Sequence, residues 1–132
     1  MPREEDPIQK EESLGNVVKV QQVIDFIVLS KLMEEKRLYH SKMKRFIIDT
    51  LDGVGVNEAY FSKRLQTLAE KGHVIREWED ENRYNRFYEI TDSGVDYFKR
   101  LLQELPDRVK MAQRVYELFD QYLGKFGKMN LK

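Results

Sequence analysis

Asn57-Glu58-Ala59-Tyr60-Phe61-Ser62-Lys63-Arg64-Leu65-Gln66-Thr67-Leu68-Ala69-Glu70-Lys71-Gly72 is the stretch whose reading decides the fold of this 132-residue chain. Phe61, Leu65 and Leu68 recur at steps of four and three, the spacing of one stripe on an α-helix, so the segment has a single inner face. Asn57 can accept from a free backbone N–H of the first turn, and Gly72 can take the left-handed conformation that closes the last. The period then shortens. His73–Glu79 and Asn85–Thr91 are dense in β-branched and aromatic residues, as strands are, and the polar run Asp80–Tyr84 makes a hairpin tip between them.

Upstream, Val17, Val18, Val20, Val23, Ile24, Phe26, Ile27, Val28, Leu29, Leu32 and Met33 cover more than half of a helix circumference, which predicts a helix buried on two sides. Lys36–His40 reads as a connection. Ser41 caps a second helix with Met43, Phe46, Ile47 and Leu51 inward, and Asp52–Val56 turns the chain into the helix at Asn57. Downstream, Thr91-Asp92-Ser93-Gly94 opens a further helix with Thr91 or Asp92 as its cap. Its apolar positions Val95, Phe98, Leu102, Leu105, Val109, Ala112, Tyr116, Phe119, Leu123 and Phe126 step by threes and fours along a heptad seam. Pro106 disfavours helix in the residue before it and serves well as a first helical residue, so the sequence predicts a break at Leu105 and a restart near Asp107. The fold class expected is α+β, mostly helical: a winged helix-turn-helix with a long C-terminal dimerisation helix. Residues 1–13 are expected to be a disordered acidic leader, 14–105 the winged-helix domain and 106–132 the dimerisation helix.

Composition narrows the function. The formal net charge is zero, so any attraction to phosphate must come from local clustering. Residues 57–86 hold six basic and six acidic side chains, and the densest basic cluster is Lys36, Arg37, Lys42, Lys44 and Arg45. Cysteine is absent, which removes thiolate chemistry and fits a cytoplasmic protein. His40 and His73 are far apart and not in ligand contexts, and no nucleophile, base and orienting group assemble. Neither an enzyme nor a metal or other cofactor is expected.

With Phe61, Leu65 and Leu68 inward, the helix presents Asn57, Ala59, Tyr60, Lys63, Arg64, Gln66 and Thr67 as its expected DNA-reading set. Lysine and arginine donate to guanine, glutamine pairs with adenine and the threonine methyl meets thymine. Ser41, Lys42, Lys44 and Arg45 would hold phosphates, as would the wing residues Asn82, Arg83, Tyr84 and Arg86, fixing register without reading sequence. Val109, Ala112, Tyr116, Phe119, Leu123 and Phe126 are the expected dimer interface. The partners implied are a second copy of the chain and a pseudo-palindromic double-stranded site. A small-molecule effector would leave no motif, because a pocket beside Trp78, Tyr88 and the last helix needs only ordinary residues.

The segment Leu65–Gly94 resembles the PadR family of bacterial regulators. That family's wing runs Gly-Arg-x-Arg-Lys-Tyr-Tyr and ends at Thr-x-x-Gly; Arg83, Arg86, Phe87, Tyr88, Thr91 and Gly94 match or nearly match it. Asn82 stands where the family has glycine, and Tyr84 where it has proline. The N-terminal half is similar to the replication terminator proteins of bacilli, through an apolar first helix followed by Glu35-Lys36-Arg37-Leu38-Tyr39. The first resemblance implies a repressor of transcription and the second a fork-arrest or plasmid or phage accessory factor. Both imply a winged helix dimerised through its last helix. A winged helix used only for protein contacts is the alternative that the balanced local charge supports.

Overall fold

The structure, a computed structural model, describes residues 18–54, 57–79, 81 and 85–129. The expected leader over 1–13, part of the turn before Asn57, and the wing positions Asn82, Arg83 and Tyr84 lie outside the described residues. The chain divides at Gln103: Lys19–Gln103 form one compact unit, and the chain from Glu104 belongs to another.

In the first unit, helix α1 (Val20–Glu34) supplies the centre of the core. Ile24, Val28, Leu29 and Leu32 are buried on it, each contributing about 1.5–3 kcal/mol relative to exposure. A second side is partly covered within the unit, where Phe26 stacks on Phe98 with ring centroids 4.9 Å apart, while Val20 and Met33 on the same helix stay exposed. Helix α2 (His40–Leu51) and helix α3 (Glu58–Glu70) add Met43 and Ile47, and Phe61, Leu65 and Leu68. Between them the backbone turns through left-handed conformations at Asp52 and Gly53, with the Gly53 N–H donating to the Ile48 carbonyl at 2.8 Å. Helix α2 starts a residue before Ser41, on Tyr39 and without a side-chain cap, so the expected Ser41 cap does not form.

Among the described residues the sheet has three strands, not the two expected. Leu38–Tyr39, read in the sequence as a connection, forms β1 and pairs antiparallel with β3 (Arg86–Ile90), which pairs on its other edge with β2 (Val74–Trp78). Two residues are too few to carry a period, which is why the alternation did not reveal it. As the middle strand, β3 buries the consecutive residues Phe87 and Tyr88 on opposite faces. Tyr88 joins the helical core, while Phe87 is covered by the Arg37 guanidinium, 3.8 Å from its centroid.

Helix α4 (Asp92–Gly124) starts where expected. Thr91 Oγ1 accepts from the Gly94 N–H at 3.1 Å and donates to the Gly72 carbonyl at 2.6 Å, so one hydroxyl caps α4 and ties it to the end of α3. Tyr97 and Phe98 pack against the core, and Leu101 is buried. The expected break at Leu105 is not there: Pro106 lies inside one continuous helix. A proline removes one ladder bond and strains the turn before it without forbidding helix, and Leu105 is itself buried. Gly124 ends α4.

Candidate nucleic-acid interface

Helix α3 is specified at both ends. Asn57 Oδ1 accepts from the Tyr60 N–H at 3.0 Å, which satisfies one of the end donors. Gly72 has φ of +79°, as the left-handed closure requires. With Phe61, Leu65 and Leu68 buried, Ala59, Lys63 and Gln66 are exposed and Thr67 is half-buried. Gln66 Nε2 donates to Glu70 Oε2 at 3.0 Å, one turn on.

Three members of the expected reading set are placed otherwise. Asn57 is occupied as the cap. Tyr60 packs against the core. Arg64 points into the unit, where its Nε donates to Asp25 Oδ1 at 3.0 Å and its Nη2 to Asp25 Oδ2 at 2.6 Å. The Arg64 side chain is 12% exposed and that of Asp25 0%. On a helix with two apolar neighbours this position lies at the border of the inner face, and the buried carboxylate across from it draws the guanidinium in. Asp25 was the residue the sequence left unused, although a lone acid inside so apolar a helix demands a partner.

The basic cluster before α3 divides the same way. Arg37 bonds Glu89 through Nε at 3.0 Å and Nη2 at 2.9 Å while lying on Phe87, so it braces β1 against β3. Lys44 pairs with Glu58, which brings the second turn of α2 beside the first turn of α3 and holds the Glu58 carboxyl below its usual range. Ser41, Lys42 and Arg45 are exposed. They line an open surface cavity of about 510 Å³ together with Lys31, Glu35, Leu38, Phe46 and Asp49.

At the wing base, the Glu79 N–H donates to the Asn85 carbonyl at 2.6 Å and Tyr39 Oη donates to Glu79 Oε2 at 2.6 Å. The Arg86 guanidinium lies over the Trp78 ring, 4.2 Å from its centroid, and its buried Nε has no hydrogen-bond partner among the described residues. Of the four expected wing contacts, Arg86 is the one within the described residues, half-buried against the strand rather than extended. His40 sits behind this end of the sheet, its Nδ1 3.1 Å from Tyr88 Oη; burial lowers its pKa, opposed by Glu58 and assisted by Arg86, Lys44 and Arg76.

Of the seam residues, Ala112 is buried, while Val109, Tyr116, Phe119, Leu123 and Phe126 are exposed, as are Leu118 and Tyr122. Among the described residues no group of histidine and acidic side chains could hold a metal, and no helix is long and apolar enough to cross a membrane.

Two successive helices, an antiparallel pair of strands with a third beside it, and a following long helix define the fold as a winged helix-turn-helix. No protein-family model matches the chain, and no curated protein matches it. Solved structures do. A transcriptional regulator from Clostridium thermocellum is 23% identical with a TM-score of 0.57, over 83% of this chain and 97% of its own. RosR of H. salinarum is 23% identical with a TM-score of 0.53, over 82% and 96%. A mutant of MarR from E. coli, complexed with operator DNA, is 17% identical with a TM-score of 0.51, over 82% and 74%. At these identities the likeness shows the fold.

Proposed function

We propose that the protein is a sequence-specific double-stranded DNA-binding regulator of transcription, acting as a homodimer. The observation that carries the reading is the outer face of α3, where Ala59, Lys63 and Gln66 are exposed on a helix held from behind at Phe61, Leu65 and Leu68. Such a helix enters the major groove with its side chains against base edges. Ser41, Lys42 and Arg45 of α2 supply phosphate contacts beside it, and the wing adds those of Arg83 and Arg86. That a MarR protein of the same fold was solved on operator DNA supports the assignment.

Surface chemistry supports the dimer. Tyr116, Phe119 and Leu123 are 63%, 54% and 52% exposed along one helix, an apolar patch of the kind that marks an interface. A two-fold partner covers it and presents two copies of α3 to a pseudo-palindromic site. The wing's resemblance to PadR regulators favours repression as the mode of action, with the apolar seam rather than any cofactor joining the two copies.

Selection from a random pool of duplex oligonucleotides at low salt tests the reading. Enrichment of an inverted repeat, with half-sites about one helical turn apart or a multiple of it, is expected. A pool that emerges unenriched would leave the fold in use for protein contacts alone.

A further inference from the structure

Asp25 is the one charged side chain in the buried set of the described residues. Its carboxylate accepts three hydrogen bonds from two other helices. Arg64 of α3 donates the two already described, and Tyr97 of α4 donates from Oη to Oδ2 at 2.8 Å. Tyr97 is itself held on its face by His73, whose ring stacks at 4.8 Å and 22° and whose Nδ1 lies 2.7 Å from Ser93 Oγ. Three helices therefore meet at a single carboxylate.

Such a junction is a poor way to gain stability, since a buried ion pair replaced by apolar side chains of similar size is often as stable or more so. It is a good way to fix geometry. Leucine and phenylalanine contacts are non-directional and let a helix roll, whereas a two-pronged guanidinium–carboxylate pair holds both distance and plane. Lys63 and Gln66 sit one residue before and two after Arg64, so the roll that Arg64 fixes is the roll that aims them. On a helix of about 10–12 Å overall diameter, a roll of about 20° carries a side-chain tip roughly 2 Å, enough to break a bidentate base contact.

We propose that Asp25 is a positioning residue for DNA reading. It sets the roll of α3 through Arg64 and, by also accepting from Tyr97, passes any displacement of the first turns of α4 to the recognition helix. This rests on the DNA-binding reading above for its purpose, but not for its mechanics.

Tyr97→Phe tests it, because the ring and its stacking on His73 stay while the bond to Asp25 goes; Arg64→Lys, which keeps the charge but not the fork, is the second variant. Two readouts are taken on the full chain: hydrogen exchange followed by mass spectrometry, and affinity for a selected duplex against a scrambled one. The expected result is faster exchange over Glu58–Glu70 with β2, β3 and α2 unchanged, and an affinity ratio lowered about tenfold with scrambled-duplex binding and salt slope intact. Exchange rising evenly through Lys19–Gln103, or both affinities falling together, would reduce Asp25 to a structural residue. If the wild-type chain prefers no duplex, the functional reading fails, and the exchange pattern still decides whether the clamp exists.

Discussion

Gly94 lies directly against the backbone of His73: a Cβ placed on Gly94 would overlap the His73 carbonyl and come within 2.8 Å of Ile90 Cγ1. The first turn of α4 and the entry to β2 are thus in contact with no room between them. Gly94→Ala is expected to cost about 1–3 kcal/mol, as overpacking of rigid neighbours does. Gly72→Ala tests the other use of glycine, since space around it is open but its φ is +79°, and the cost there is about 1–2 kcal/mol of backbone strain. Urea midpoints of the two variants check both.

Removing Arg64 leaves the Asp25 carboxylate buried with Tyr97 as its one side-chain donor among the described residues. Arg64→Ala is therefore expected to lower stability by about 3–5 kcal/mol, more than the loss of any surface contact. The double variant Asp25→Leu, Arg64→Met should recover much of this, because no charge is then left in the core. Denaturation of the singles and the double measures the coupling; simple addition of the two losses would contradict the pairing.

Acid is expected to weaken the fold before its carboxylates titrate. Burial lowers the pKa of His40, and burial followed by Lys71 and Arg100 lowers that of His73. Both histidines therefore bind protons more readily unfolded than folded. The stability they allow is present above the ordinary histidine value of about 6.5 and is lost as pH falls through it toward the lowered folded values. Urea midpoints from pH 7.5 to 5.5 should fall, and the fall should be shallower in His40→Gln. A midpoint that rises on acidification would reverse the assignment.

Asn57 is expected to act on the helix rather than on bases. Asn57→Ala removes the cap on the Tyr60 N–H and should cost about 1 kcal/mol, with Asn57→Asp restoring it. Thermal unfolding reads the cost, and the preferred duplex sequence should be unchanged in both variants.

Much of this molecule was legible in its sequence, and the parts that were not share a cause. Phe61, Leu65 and Leu68, the Asn57 cap, the Gly72 closure and Thr91 ahead of Gly94 are local signals, and each holds in the structure. β1 is too short for periodicity, and it exists because the edge of β3 needs a partner and Arg37 reaches Phe87 and Glu89. The inward turn of Arg64 depends on Asp25, 39 positions away. Lys44 likewise is taken up by Glu58. Long-range pairing divided a basic cluster that composition presents as uniform. Pro106 shows the converse, where a strong local rule yields to a helix continuous on both sides.

Under the proposed function, the exposed face of α3 reads base sequence while α2 and the wing hold phosphates. The most direct test is the ratio of affinities for a selected duplex and a scrambled one, measured for the wild-type chain and for Lys63→Ala and Gln66→Ala. A wild-type ratio well above one, lowered in each variant by a factor equivalent to about 1–3 kcal/mol while binding to scrambled duplex persists, is predicted. A ratio that is the same in all three chains would contradict it.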